Sequence, residues 1–175
     1  MRRLFAVLVL ILYGCMGLCM VSARAATTGF STTACSDEEK AAMIDAINLE
    51  VYTEEYLVSG IQCFDVKEDG VYALAFGADS NSRISVYDSD GSFQYGYKFN
   101  ATGDFAVEFY KDDVAIYFLR GDVLAVYDPA GVCQEIRKVS STKQNHIYSK
   151  EILDRVYKRI PDKEYFLEQI GRAHV

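Results

Sequence analysis

Val86-Tyr87-Asp88-Ser89-Asp90-Gly91 and, forty positions on, Val126-Tyr127-Asp128-Pro129-Ala130-Gly131 are the stretches that decide the fold. Each runs an apolar–aromatic pair into Asp and reaches Gly three residues later, the chemistry of a strand entering a tight turn. Upstream, Phe64-Asp65-Val66-Lys67-Glu68-Asp69-Gly70-Val71-Tyr72 lines up with Val107-Glu108-Phe109-Tyr110-Lys111-Asp112-Asp113-Val114-Ala115 at an offset of 43. The fall in offset from 43 to 40 predicts a longer loop in the first copy, at residues 77–82.

Each copy reads as four short strands. In the first these are 62–67, 71–76, 83–88 and 92–99; in the second, 104–110, 114–119, 123–128 and 132–139. Residues 71–76 are apolar on both faces, as a sheet-buried strand is. Residues 92–99 alternate strictly, so Phe93, Tyr95, Tyr97 and Phe99 are expected on one face. A partial third unit is expected at 150–169, its hairpin turning at Pro161-Asp162-Lys163. The competing reading is a helix over 150–160 capped by Ser149. The hairpin is preferred because Tyr165-Phe166-Leu167 then pairs back on Val156-Tyr157.

A period of 40 to 50 residues with four strands each is a propeller signature. Residues 60–139 resemble two blades of a β-propeller of the kind carrying a V-Y-D-x-x-G turn in each blade, covering under half the chain. The resemblance implies a mainly β fold of antiparallel four-stranded meanders, with units at 60–99 and 104–139. It implies no particular activity, since that architecture serves enzymes, sugar binders and partner-binding scaffolds alike. Two or three blades also fall short of the four or more a ring needs. The last six residues, Ile170-Gly171-Arg172-Ala173-His174-Val175, match the translation of a widely used short-read sequencing adapter. Residues 170–175 are therefore set aside as a non-native tail, and the frame is expected to be a fragment whose further blades lie beyond Gln169.

The N-terminus carries an address. Arg2 and Arg3 precede eighteen uncharged, mostly apolar residues, 4–21, and Ala23-Arg24-Ala25 supplies a small-x-small cleavage site. That order is the mechanism of a secretory signal peptide at 1–25, with an uncleaved anchor as the alternative. Leu12-Tyr13-Gly14-Cys15 resembles a bacterial lipobox, making Cys15 the candidate lipidation residue. The protein is thus expected outside the cytoplasm, secreted or membrane-anchored at the surface, touching the membrane only through that signal or a lipid. Together they favour a bacterial source. Residues 26–35 read as a linker. Ser36-Asp37-Glu38-Glu39 is a capping box opening a short helix over 36–48, and 49–169 forms the β-repeat domain.

The net charge of −7 understates the acidity. Without Arg2, Arg3 and Arg24, 15 basic residues face 25 acidic ones, a net −10. Such a surface repels phosphate backbones, so no nucleic-acid partner is expected. Residues 36–135 hold 20 acidic and 6 basic side chains, while 137–172 hold 5 and 9, so any basic face belongs to the C-terminal end. Cys35, Cys63 and Cys133 are odd in number and include no C-x-x-C pair, so no disulfide framework or zinc site is read.

Asp88 and Asp90 open a calcium-like D-x-D-G stretch and are the weak metal candidates. The twelfth position, where a calcium loop needs Glu, is Phe99, and the second copy keeps one carboxylate. A hairpin turn accounts for both. His146, beside Ser140 and Ser141, lacks an orienting group and is read as an exposed loop histidine. Glu54-Glu55, Glu68-Asp69 and Asp112-Asp113 are neighbours whose side chains diverge, so they cannot flank one substrate. Arg120-Gly121-Asp122 reads as a tight turn and Asn100-Ala101-Thr102 as a sequon. No catalytic residue and no cofactor is assigned. The expected function is an exported, non-enzymatic binding or sensor module with a protein or carbohydrate ligand. The alternative is a fragment of an exported propeller-type hydrolase or lyase whose active residues are missing.

Overall fold

The computed structural model describes residues 28–56, 60–77, 82–161 and 163–166. The expected signal peptide at 1–25, the candidate lipidation residue Cys15 and residues 170–175 lie outside the described residues. The fold is mainly β, built on two five-stranded antiparallel sheets.

The first sheet contains β3 (Ile61–Val66), β4 (Tyr72–Phe76), β5 (Ser82–Tyr87) and β6 (Phe93–Phe99) as a meander. The second repeats that order with β7 (Phe105–Tyr110), β8 (Asp113–Phe118), β9 (Val123–Tyr127) and β10 (Cys133–Val139). All eight expected strands are present within two residues of their expected ends. A short 3-10 turn, Leu119–Gly121, joins β8 to β9.

The fifth strand of each sheet comes from the N-terminal segment. β1 (Thr32–Ala34), inside the expected linker, pairs with β10, Thr32 opposite Val139. β2 (Glu50–Tyr52) pairs with β6, Tyr52 opposite Gly96. These short strands cover the outer edges of both meanders, which would otherwise present unpaired backbone groups. Between them runs α1 (Asp37–Ile47), its Ser36 Oγ accepting from Glu39 N while Glu39 accepts from Ser36 N. Tyr52 lies across the vacant face of Gly96, where a Cβ would sit 2.1 Å from its ring. Its hydroxyl donates to Ile84 O at 3.1 Å, so the aromatic ring fills what glycine leaves open.

The two meanders use the same turn atom for atom. Asp88 Oδ1 accepts from the Asp90 and Ser92 amides, and Oδ2 accepts from Gln94 Nε2. Asp128 Oδ1 accepts from the Ala130 and Val132 amides, and Oδ2 from Gln134 Nε2. The strand pairing slips by one residue at each glutamine: Phe93 pairs with Tyr87 and Tyr95 with Val86, while Cys133 pairs with Tyr127 and Glu135 with Val126. Gln94 and Gln134 are therefore bulge residues, displaced as their amides reach back to the turn carboxylate. The bulge corrects the expected alternation. Phe93 joins the cluster of Phe64, Tyr72 and Tyr87, whereas Tyr97 and Phe99 join the core between the sheets. Asp88→Ala and Asp128→Ala should each lower stability by about 1 kcal/mol, because three donors lose one acceptor. Urea melts check this; unchanged midpoints would remove the turn from the account.

The register also corrects the alignment of the second strands. Val66 lies opposite Tyr72, and its counterpart Phe109 lies opposite Val114. Tyr72 therefore corresponds to Val114, not Ala115, because the β3–β4 turn holds one residue more than β7–β8. With that shift the faces follow. Cys63, Asp65, Ala73 and Ala75 share the face of the first sheet that meets the second. Phe105 and Phe118 share the opposing face, and Phe99 sets its edge against both, at 4.9 and 5.7 Å between centroids. Tyr97 OH donates to Asp128 O at 2.6 Å across the same interface. The small residues of β3 and β4 thus face the aromatic rings of β7 and β8, as close packing favours.

Beyond β10 the chain forms α2 (Lys143–Leu153), capped by Thr142, then a two-stranded hairpin of β11 (Tyr157–Ile160) and β12 (Lys163–Phe166). The expected hairpin is there, but helix occupies the start of the expected third unit and begins seven residues earlier than the competing reading placed it. A four-stranded unit does not form there among the described residues. α2 covers the far face of the second sheet, with Phe30 against Tyr117 and Tyr148. Tyr165 and Ile160 of the hairpin cover the far face of the first sheet. No described helix is long and apolar enough to cross a membrane.

Candidate functional site

Most sequence-derived candidates are structurally occupied. Asp88 has both carboxylate oxygens committed to its own turn, and Asp90 stands exposed beside it. No group of three or more His, Cys, Asp or Glu among the described residues is placed to hold a metal. Calcium should accordingly leave the melting temperature unchanged, since binding to the native state would raise it; a clear rise would restore the Asp88–Asp90 site. His146 sits on the exposed face of α2, not in a loop. Asp122 accepts from Tyr117 OH at 2.8 Å, which commits the acidic end of Arg120-Gly121-Asp122 to its own sheet. Asp69 accepts from the Val71 amide, and Asp69 and Asp112 both pair with Lys67, at 3.1 and 2.8 Å.

Cys35, Cys63 and Cys133 are free thiols. Burial pushes the Cys63 thiol up to about 12, so it carries no thiolate at neutral pH and is no nucleophile.

The most buried convergence of charge among the described residues was not legible as such. Asp65, with its side chain 3% exposed, lies on the small face of the first sheet. Its Oδ2 accepts from the Phe109 amide at 2.9 Å, a backbone donor on the free edge of β7. Its Oδ1 accepts from Arg155 and from Lys158, which follow α2. Arg155 donates onward to Phe64 O at 3.4 Å and to Glu108 Oε1 at 3.3 Å. Tyr148 OH lies 2.9 and 2.8 Å from the two Glu108 oxygens. Asp65 and Glu108 are 43 residues apart, the offset of the aligned strands. That equality, with each carboxylate alone in an apolar run, was the available signal.

Chemically the cluster fastens elements together. One guanidinium spans two carboxylates from two sheets, and a second cation, Lys158, completes Asp65. Buried charges survive only when so paired. No hydroxyl or thiol nucleophile stands beside a free base here. Burial holds the Glu108 carboxyl above the ordinary carboxylate range; the Tyr148 hydrogen bond opposes the rise and the Asp65 charge adds to it. A group raised on folding contributes stability that is fully present below its unfolded pKa and lost as pH rises through its folded pKa. The stability of wild type relative to Glu108→Gln should therefore grow as pH falls from about 7 to about 4. Urea melts across that range check it; a difference that shrinks on acidification contradicts the assignment.

Beside the cluster opens a cleft of about 720 Å³. The β3–β4 turn contributes Lys67 and Asp69, the β7–β8 turn Lys111 and Asp112, β7 the Phe109 ring, and β11 Arg159. Asp65, Glu68, Asp69 and Asp112 balance Lys67, Lys111, Lys158 and Arg159, so this cleft is neutral on an acidic protein. No protein-family model, no curated protein and no solved structure matches the chain.

Proposed function

We propose that the chain is an exported, non-enzymatic binding module, built from propeller-type blades, that takes a neutral polyhydroxylated ligand, a carbohydrate, in this cleft. The observation that carries the reading is the cleft itself. Donors and acceptors of balanced charge alternate around an aromatic wall, which suits hydroxyl groups and offers no surplus cation to a polyanion. The commitment of Asp88, Asp65 and Glu108 to internal hydrogen bonds supports binding over chemistry. The basic, apolar and small-x-small order of residues 1–25 supports export.

The test uses the full chain on an oligosaccharide array, followed by calorimetric titration of the best binder. Lys111→Glu with Arg159→Glu changes two exposed side chains of the rim and should leave the melting temperature in place. Loss of charge-assisted hydrogen bonds there should weaken binding by about tenfold or more. Full affinity in the double variant would contradict the cleft, and binding of acidic glycans in preference to neutral ones would contradict the ligand class.

A further inference from the structure

The interface between the two sheets is directional. The first sheet offers a small face, Ala73 and Ala75 beside Cys63, and the second offers a large one with Phe105 and Phe118. The two outer faces have the same polarity. The far face of the first sheet is large: Phe64, Tyr72, Leu74, Phe76 and Tyr87. The far face of the second carries Ala106, Glu108 and Ala115 on β7 and β8, with Tyr117 opposite Ala106. Ala106 and Ala115 thus repeat Cys63 and Ala73 on the outer face, while Tyr117 stands where the first sheet has Ala75.

The hydrogen bonding agrees. Within the chain, Asp65 accepts the outward N–H of Phe109 on the edge of β7. Glu108 holds on β7 the position Asp65 holds on β3. Val66 holds on β3 the position Phe109 holds on β7. Lys67 N donates to Val71 O, so Val66, one residue back, turns its N–H away from β4 as Phe109 does from β8.

We infer that copies of this chain associate head to tail, the Glu108 carboxylate of one accepting the Val66 N–H of the next, with the outer face of one second sheet set against the large outer face of the neighbouring first sheet. Such a contact is heterologous, so it closes into a ring or extends as a filament. It is held off by the C-terminal arm. Tyr148 and Arg155 occupy Glu108, and Tyr165 and Ile160 occupy the large face. Few described side chains of the arm are buried: Asn145, Ser149, Ile152 and Tyr165. Arg155 is the bond that ties it to both sheets. Phe30 and Tyr148, 4.8 Å apart, are the rings that leave the second sheet when the neighbour arrives. The inference is independent of the carbohydrate reading, since the cleft and these faces are tested by different variants.

The experiment is native mass spectrometry and sedimentation of the full chain over a wide concentration range. Wild type should be mainly monomeric. Arg155→Ala, and separately Tyr148→Phe, loosen the arm and should shift the chain to oligomers. Adding Glu108→Ala should reverse that shift. Adding Val66→Pro should reverse it as well; proline deletes an N–H that faces away from the ladder and so costs the sheet no internal bond. The two arm variants back each other up, circular dichroism identifying those that keep the native spectrum. Folded arm variants that stay monomeric at every concentration would overturn the inference. So would association that survives both Glu108→Ala and Val66→Pro.

Discussion

Asp65→Ala should be the costliest single substitution in the described structure, lowering unfolding stability by about 3–5 kcal/mol. The carboxylate is 3% exposed and has three donors: the Phe109 amide, Arg155 and Lys158. Its removal leaves two cations facing a buried gap, with Glu108 alone to balance them. It also strands a backbone N–H on the outer side of β7, the edge strand of its sheet. Asp65→Asn keeps an oxygen for the Phe109 amide and loses the charge, so it should fall between wild type and alanine. Urea melts of the three proteins give the order. A cost below about 1 kcal/mol for alanine would place Asp65 among ordinary surface pairs and remove it from the architecture.

Phe99→Ala should cost about 3–5 kcal/mol by a different route, the cavity left in a packed interior. Phe99 is 2% exposed and sets its edge against Phe105 and Phe118 of the other sheet. Ala73 and Ala75 on the same face carry only methyl groups and lend little to fill the space. The informative control is Phe93→Ala in the same strand. A regular strand puts Phe93 and Phe99 on one face and predicts similar losses. The bulge at Gln94 moves half-buried Phe93 to the other side, away from the inter-sheet core. Phe93→Ala should therefore cost clearly less. Equal losses in thermal or denaturant melts would contradict the bulge.

The strands were legible because their apolar runs end at Asp-x-x-Gly and Asp-Gly turns, chemistry local to each stretch. What misled was local too. Alternation counted along 92–99 assumes no bulge, yet Gln94 and Gln134 recur at the same offset of forty and mark one in each copy. The alignment of Val71 with Val114 fails because one extra turn residue flips a strand's faces. β1 and β2 were not visible since three-residue strands take their pairing from partners far along the chain; Thr32 meets Val139. The charge cluster depends on distance in the same way. Arg155 lies 90 positions from Asp65, and nothing near either residue names the other.

The central claim is that a carboxylate on one sheet closes the open edge of the next. Amide hydrogen exchange at Phe109 tests it most directly. This N–H sits on a sheet edge, where exchange is ordinarily fast. The account predicts slow exchange in wild type, near the rate set by global unfolding, and a large acceleration in Asp65→Ala that spares the β8–β9 amides. Rapid exchange of the Phe109 amide in wild type, or protection that persists without Asp65, would contradict it.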